Sequence, residues 1–225
     1  MTLSPDGGSA VRLHTYWRSS AAYRVRIALN LKRVAWEPVV WHLAKGEHLG
    51  PAYAAQASFG LVPMLEIDGL RLQQSLAIVE YLEERDPDPA LLPADRAQRV
   101  LARSLAQLVA CEIHPVNNLR VLNRLRSQFA ADAGAVDDWY RHWCRIGLEA
   151  VERTLPDAAA GPFALGSSPT IVDCFLVPQV YNALRYGFDM TPYPRIRSIN
   201  AACADLEAFD AARPERQVDA PAIGG

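Results

Sequence analysis

Patterns typical of β-strands occur only in the first part of this 225-residue chain, and this asymmetry constrains its fold more than any other feature. Alternating apolar residues and the Asp68-Gly69 pair predict strands and a hairpin there. Beyond a proline-rich stretch at 86–96, only helical spacing recurs. The expected elements are strands at 11–17, at 35–43 and on both sides of Asp68-Gly69 within 62–75, early helices at 20–32, 48–57 and 75–87, and later helices at 96–129, 136–155, 170–187 and 194–210.

This order predicts an α/β half followed by an all-α half. The succession β-α-β-α-β-β-α fits a small mixed sheet with helices on its faces, and Pro38 would place the second strand at an edge. We expect a disordered leader at 1–10, the α/β domain at 11–87, a linker at 88–98 and a helical domain at 99–225.

Charge and apolar patterning exclude several classes of protein. A formal net charge of −2 lacks the basic excess of a nucleic-acid-binding protein. No apolar run approaches the roughly 18 residues of a membrane-spanning helix, and the N-terminus lacks the layout of a signal peptide, so we expect a cytoplasmic protein. The four cysteines form no CxxC pair and are expected to be reduced and mostly buried. No His or Cys cluster has metal-ligand spacing, which disfavours a metalloenzyme.

Ser19 and Ser20, in the stretch "RSSAAYRVRIAL", stand where a strand gives way to a helix. A helix N-terminus carries partial positive charge and free N–H groups, so it favours an anion such as a thiolate. The alternative is simple capping, which serine commonly performs. On the same helix, the apolar spacing places Arg24 and Arg26 off the buried stripe.

Two later junctions are candidate ligand sites. Val62-Pro63 opens a strand, and a cis peptide bond there would expose the backbone of Val62; an ordinary edge-strand proline is the alternative. Gln74 and Ser75 open a helix, where an amide and a hydroxyl suit a carboxylate. The alternative is that Ser75 is the N-cap.

Several polar residues interrupt apolar settings in both halves of the chain. Separated arginines suit a substrate with two carboxylates, because guanidinium pairs with carboxylate in a bidentate manner, whereas a single arginine is more often surface charge. Thr170 and Asp173 have the spacing of a capping box, and Pro178 is expected to kink the same helix. The interrupting residues are Arg18, His42, His114, Asn118, Arg120 and Arg185.

In combination, these features resemble the glutathione transferases, and more narrowly the zeta class, which contains the maleylacetoacetate and maleylpyruvate isomerases. The resemblance extends over residues 11–220. The stretches that carry it are "YWRSSAAYRVRIALNLK" (16–32), "QQSLAIVEYLEE" (73–84), "IHPVNNLRVL" (113–122), "TIVDCFLVPQVYNALRYGFDMTPYPRI" (170–196) and "LEAFDAARPERQVDA" (206–220).

The resemblance implies a thioredoxin-like, glutathione-binding first domain and a helical second domain, in a homodimer. Ser19, or else Ser20, would stabilise the glutathione thiolate, which would isomerise a maleyl dicarboxylate in aromatic catabolism by reversible addition. Arg18 and Arg185 would bind the two substrate carboxylates. The remaining glutathione-site residues would be Val62 and Pro63 at the cysteinyl backbone, Gln74 and Ser75 at the γ-glutamyl group, and His42, His114, Asn118 and Arg120 at the glycyl end and site wall.

The chain departs from the class at one position of the serine motif. Many members read Ser-Ser-Cys, whereas Ala21 and Ala22 follow Ser20 here. This departure keeps open a non-catalytic glutathione-binding protein. A general conjugating glutathione transferase and a dehalogenase of small haloacids also stay open, because both use the same thiolate. Neither the identity of the maleyl substrate nor its pathway follows from the sequence.

Overall fold

The protein divides into two compact units that do not follow the simple order of the chain. The computed structural model describes residues 10–57, 59–156 and 161–222, so the expected leader, apart from Ala10, lies outside the described residues. The first unit contains the described residues of Met1–Pro89 together with those of Ala208–Gly225, and the second contains Ala90–Glu207. The end of the chain thus belongs to the first unit, whereas the sequence placed it with the helical half.

The first unit is built on a four-stranded mixed sheet with strand order β2-β1-β3-β4. Its strands and helices, in chain order, are β1 (Arg12–Thr15), α1 (Ser20–Leu31), β2 (Glu37–Val40), α2 (Pro51–Ala54), β3 (Met64–Ile67), β4 (Leu70–Gln73) and α3 (Ser75–Arg85). β1 pairs in parallel with β2 and antiparallel with β3. As predicted, the strand with Pro38 is an edge strand, where its missing N–H costs no ladder hydrogen bond.

The predicted hairpin is confirmed. Ile67 of β3 faces Leu70 of β4 across a two-residue turn. Asp68 and Gly69 both have positive φ, 52° and 78°, as a turn that matches the strand twist requires. The strands are shorter than the alternating patterns suggested, since pairing stops where the chain turns away from its neighbour.

Helix α1 is buried nearly all round, and the prediction that Arg24 and Arg26 lie off the buried stripe is wrong. Their exposed fractions are 2% and 0%. Helix α3 packs against α1, and the returning C-terminal segment covers α1 as well, so α1 has no broad solvent face. A helix enclosed on several sides buries polar residues only where they find hydrogen-bond partners.

The second unit is helical, as predicted. Its helices are α4 (Arg96–Gln107), α5 (Leu119–Phe129), α6 (Ala133–Thr154), α7 (Ile171–Arg185) and α8 (Pro194–Ala204), followed at the boundary between the units by the short α9 (Glu207–Asp210). Helix α7 is the centre of this unit and packs against α4 and α8. The first ten residues of α7, Ile171–Val180, are all buried, which agrees with the apolar run in the sequence. Pro178 lies inside α7.

Two predicted helices are interrupted. The pattern at 96–129 is two helices, because α4 passes into a π-helical segment at Leu108–Ile113 and the chain then turns through Pro115 before α5 begins. Proline lacks the N–H that a continuous helix would use and so favours a break here. The pattern at 194–210 likewise ends at Ala204, before α9.

The predicted capping box at the start of α7 is confirmed. Thr170 Oγ1 accepts from the Val172 N–H at 3.3 Å, and Asp173 Oδ2 accepts from the Thr170 N–H at 2.7 Å. The other carboxylate oxygen accepts from the Ala164 N–H at 2.9 Å. Asp173 therefore joins the N-terminus of α7 to the preceding loop. Burial raises the pKa of this carboxyl group, against the opposing effect of its backbone donors.

All four cysteines are free thiols, and three of them are buried, whereas Cys111 is exposed. Burial raises the pKa of Cys144 to about 12, so this thiol stays protonated and unreactive. None of the described helices has the length and apolar character needed to cross a membrane.

Candidate active site

The N-terminus of α1 carries the serine motif and has the electrostatic character that favours an anion. Ser19 is the N-cap, and its Oγ accepts from the Ala22 N–H at 3.2 Å. A hydroxyl that accepts one hydrogen bond still has its own proton to donate. The first turn of α1, all of which is described, holds no acidic residue. The positive end of the helix dipole is therefore not neutralised by its own side chains.

Ser20 is the first residue of α1 and is buried, with 6% of its surface exposed. Ser19 is only partly buried. The structure therefore assigns the capping function to Ser19 and places Ser20 on the packed side of the helix. Arg18 precedes them, with its guanidinium 5.4 Å from the centre of the Trp17 ring.

The second helix N-terminus of the first unit, that of α3, has an unusual backbone. Gln74 has φ 71° and ψ 116°, a conformation that residues with a side chain rarely adopt, and its side chain does not cap the helix. Backbone strain of this kind is found preferentially at ligand-binding positions. The prediction that Ser75 is the N-cap is wrong, because Gln74 occupies that position and Ser75 is the first helical residue.

Ser75 is held from α1 instead. Its Oγ lies 3.2 Å from Nη1 of the buried Arg24, which donates to it. The N-termini of α1 and α3 are thus linked by a side chain that begins one turn after Ser20. This contact fixes the orientation of the Gln74-Ser75 segment relative to the serine motif.

The Val62-Pro63 peptide bond is cis, as predicted. The Val62 side chain lies in an apolar cluster with Tyr16 and Tyr53. The Tyr53 hydroxyl donates to the carbonyl of Leu61 at 2.7 Å, and burial raises the pKa of this phenol, which keeps its proton in place. The segment before Pro63 is therefore packed and hydrogen-bonded.

His42 belongs to the same part of the first unit. Its ring lies 5.1 Å from that of Tyr16, and its Nδ1 accepts from the Lys45 N–H at 3.3 Å. An imidazole whose Nδ1 accepts has Nε2 left for a ligand. Tyr16 thus connects His42, the Val62 cluster and the chain that leads to Ser19.

The second unit contains the other predicted site residues. His114 and Asn118 lie in the turn between the π-helical segment and α5, with 3.4 Å between the His114 Nε2 and Asn118 Nδ2 atoms. Asn118 is the N-cap of α5 and accepts from the backbone N–H of Arg120 at 3.1 Å. The Arg120 side chain is exposed. The Asn118 side chain therefore has a structural function in addition to any contact with a ligand.

Arg185 lies at the C-terminal end of α7, on an aromatic platform. Its guanidinium is 4.6 Å from the centre of the Tyr186 ring, and Tyr186 stacks on Tyr140 with 3.7 Å between centroids. Burial raises the pKa of Tyr140, so its hydroxyl stays protonated. Arg185 is exposed, and a guanidinium that lies over a ring keeps its N–H donors available for an anion.

Similarity to known proteins identifies the family. The family models for the glutathione S-transferase N-terminal and C-terminal domains match residues 13–90 and 147–198. The chain is 47% identical over 210 residues to the maleylpyruvate isomerase of a Ralstonia species, covering 93% of this chain and 99% of that protein. This chain is a zeta-class glutathione S-transferase.

Further relatives agree with this assignment. The maleylacetoacetate isomerase of Pseudomonas aeruginosa is 45% identical over 215 residues, covering 94% of the transferase and all of that protein. A holo structure of maleyl pyruvate isomerase, described as a bacterial glutathione S-transferase of the zeta class, superposes with a TM-score of 0.91 at 47% identity, over 93% of this chain and 100% of that one. The maleylacetoacetate isomerase of Anaeromyxobacter dehalogenans, solved with glutathione bound, gives a TM-score of 0.85 at 45% identity, over 94% and 98% of the two chains. The predicted fold class, a thioredoxin-like domain followed by a helical one, is confirmed.

Three polar residues of the transferase's first unit contact the segments around Ser19 and Ser75 and were not among the site residues predicted from the sequence. They are Arg24, Arg26 and Asp219, whose partners lie far away along the chain. One signal does point to the arginines, because apolar residues flank them on every side in "AAYRVRIAL". A helix with apolar residues on all faces is a buried helix, and charged residues within it need defined partners. No comparable local signal marks Asp219.

Within the described ranges 10–57, 59–156 and 161–222, no group of three or more His, Cys, Asp or Glu side chains has the geometry of a metal site.

Proposed function

We propose that this protein is a glutathione-dependent cis–trans isomerase that converts a maleyl dicarboxylate, maleylpyruvate or maleylacetoacetate, to its fumaryl isomer. The observation that carries the proposal is the similarity at 47% and 45% identity, over nearly the whole chain, to proteins named for these two reactions. Another structure of the Anaeromyxobacter isomerase holds dicarboxyethyl glutathione and citrate. That ligand combines a glutathione sulfur with two carboxylates, which is the charge pattern that the proposal requires.

The first unit offers groups that suit each part of glutathione. The thiolate suits the N-terminus of α1, where Ser19 has a proton to donate and the first turn of the helix brings no acidic side chain. The γ-glutamyl carboxylate suits the N-terminus of α3, at Gln74 and Ser75. The backbone of Val62 suits the cysteinyl peptide, and His42 suits the glycyl end. We also propose that the glutathione site includes Pro63, Ser20, His114, Asn118 and Arg120.

Glutathione, when bound, supplies a thiolate that adds reversibly to the maleyl double bond, so that the bond rotates as a single bond before the thiolate leaves unchanged. Ser19 donates a hydrogen bond to the sulfur, and the N-terminus of α1 stabilises its negative charge. Arg18 and Arg185 neutralise the two carboxylates of the substrate, since guanidinium matches carboxylate in charge and shape. Neutralising these charges lowers the repulsion between an anionic nucleophile and a dianionic substrate.

The experiment that tests the proposal is an assay of the purified protein with maleylpyruvate and with maleylacetoacetate, each with and without glutathione. We expect formation of the fumaryl isomer that depends on glutathione, with no net consumption of glutathione. Absence of glutathione-dependent turnover on both substrates would contradict the proposal.

The same assay separates the alternatives. Stoichiometric loss of glutathione with a hydrophobic electrophile or a small chloroacid would indicate a conjugating transferase or a dehalogenase. Glutathione binding without turnover of any maleyl compound would indicate a binding protein. Assembly as a homodimer and a cytoplasmic location stay predictions, which sedimentation and cell fractionation test.

A further inference from the structure

The C-terminal tail, residues 208–222, packs on the first unit and contacts the chain that leads to the serine motif. Asn30 Nδ2 donates to the carbonyl of Ala208 at 3.0 Å, and Arg26 Nε donates to the carbonyl of Ala212 at 2.9 Å. At the end of the tail, Asp219 Oδ2 accepts from the backbone N–H of Trp17 at 2.8 Å. The tail therefore runs along α1 and reaches the residue two positions before Ser19.

Arg26 joins the tail to the residues before Ser19. Besides its bond to Ala212, its guanidinium donates to the carbonyl of Tyr16 at 3.4 Å and to that of Trp17 at 3.1 Å. The Tyr16 carbonyl also accepts from the Ser19 N–H at 2.9 Å. The buried Arg26 side chain thus holds the carbonyls of Tyr16 and Trp17, and the Tyr16 carbonyl in turn holds the Ser19 N–H.

Trp17 is consequently held on both sides. Its N–H is bound by the Asp219 carboxylate and its carbonyl by the Arg26 guanidinium, and both hydrogen bonds involve a charged group. Hydrogen bonds to charged groups are shorter and stronger than neutral ones. Among the described residues, the Asp219 Oδ1 atom is buried without a hydrogen-bond partner.

We propose that Arg26 and Asp219 are positioning residues for Ser19, and that the C-terminal tail sets the geometry of the site. The inference rests on the proposed function, because it assigns to Ser19 the stabilisation of the glutathione thiolate. Asp219 and Arg26 hold Trp17, and the Trp17–Ser19 segment then holds the Ser19 hydroxyl where it meets the sulfur. Displacement by about 1 Å is enough to weaken catalysis strongly.

The test uses Asp219 rather than Arg26, because Asp219 is only partly buried and its replacement leaves the core of the unit intact. The variants are Asp219→Ala, which removes the acceptor, and Asp219→Asn, which keeps a neutral acceptor. Val218→Ala is the matched control, because the adjacent Val218 is 78% exposed. Each is compared with the unaltered protein in kcat and KM for glutathione, in the pH dependence of kcat/KM, and in hydrogen exchange of the peptide covering residues 16–20.

For Asp219→Ala we expect kcat/KM to fall about 10- to 100-fold, by the cost of such misplacement, and the acidic limb of the pH profile to move to higher pH. The shift follows because a thiol that loses its hydrogen-bond donor has a higher pKa and is less ionised at low pH. Exchange at residues 16–20 should become faster. Asp219→Asn should recover most of the loss, and Val218→Ala should match the unaltered protein.

Unchanged exchange at residues 16–20 in Asp219→Ala would overturn the proposal by itself. Faster exchange with unchanged kcat/KM and pH profile would overturn it too, since the tail would then only stabilise the fold. Failure of the proposed function gives a different result, namely no glutathione-dependent turnover in the unaltered protein. In that case exchange at residues 16–20 and glutathione affinity, measured by calorimetry, still decide whether Asp219 positions this segment.

Discussion

The N-termini of α1 and α7 are both capped by a hydroxyl side chain, but only α7 of these two carries an acidic residue in its first turn. Thr170 caps α7, and Asp173 adds a carboxylate that accepts from the Thr170 and Ala164 N–H groups. Ser19 caps α1 in the same way, yet Ala22 stands at the position that corresponds to Asp173. The difference is one carboxylate in the first turn.

That difference separates a structural helix terminus from one suited to a ligand. The partial positive charge of a helix N-terminus is satisfied either by an acidic side chain of the protein or by an external anion. At α7 the buried Asp173 occupies this position, and the terminus is closed. At α1 no residue of the first turn does so, and the terminus is suited to a thiolate.

The largest expected effect is a loss of stability from substitution at the N-terminus of α7. Asp173→Ala removes the acceptor of two buried backbone N–H groups, each of which costs about 1–3 kcal/mol when unsatisfied, so the free energy of unfolding should fall by about 2–5 kcal/mol. Urea unfolding measures this, with Asp137→Ala as the control, because the Asp137 side chain is half-exposed on its helix and its ion pair is worth less than about 1 kcal/mol. If the two variants lost the same free energy of unfolding, the Asp173 carboxylate would not be needed for the stability of α7.

The second-largest expected effect is a loss of activity from substitution at the N-terminus of α1. Ser19→Ala should lower kcat/KM about 100-fold, as removal of one donor to a reacting anion commonly does, with a cost of only about 1 kcal/mol in stability. Steady-state kinetics and urea unfolding measure the two quantities. Ser20→Ala provides the comparison: a larger loss in that variant would transfer the role to Ser20, and full activity of Ser19→Ala would remove Ser19 from the mechanism.

The third expected effect is on substrate binding, through Arg185 at the C-terminal end of α7. Arg185→Ala should raise KM for the dicarboxylate about tenfold with little change in kcat, because a hydrogen-bonded charge contact is lost in the ground state and the transition state alike. Initial rates at saturating glutathione test this. Arg126→Ala removes an exposed arginine of α5 and should leave KM unchanged; an equal KM in both variants would exclude Arg185 from the substrate site.

The smallest expected effect comes from a substitution that gives the first turn of α1 an acidic side chain, as α7 has. Ala21→Asp places a carboxylate in the first turn of α1, which should stabilise the fold by about 0.5 kcal/mol and lower kcat/KM about fivefold, because it repels a thiolate. Thermal unfolding and the same kinetic assay should move in opposite directions. Ala21→Asn controls for size, and unchanged activity of the aspartate variant would mean that the charge of this terminus does not matter.

The parts of the fold that depend on neighbours in sequence were predictable. Asp68-Gly69 sets its own hairpin, and Thr170 with Asp173 forms its own capping box, because the interacting groups are at most three residues apart. The same holds for the cap at Ser19. The order of strands and helices followed from periodicity, since burial of one face repeats along each element.

The contacts that organise the candidate site were not predictable in this way. Arg24 bonds to Ser75, 51 positions away, and Arg26 bonds to Ala212, 186 positions away. A pattern within one helix does not identify such partners, and the apolar spacing placed both arginines off the buried stripe. Ser75 was expected to be a cap for the same reason, because its partner Arg24 lies on another element.

The return of residues 208–222 to the first unit has a consequence for biosynthesis. Domains generally fold from the N-terminus as the chain emerges from the ribosome. Here the sheet and α1 emerge long before Ala212 and Asp219, so the segment next to Ser19 receives these two hydrogen bonds only after residues 208–222 have been synthesised. A polypeptide that terminates just after the second unit would contain the four described strands and helices α1 to α8, but would lack the contacts of Ala212 and Asp219 with Arg26 and Trp17.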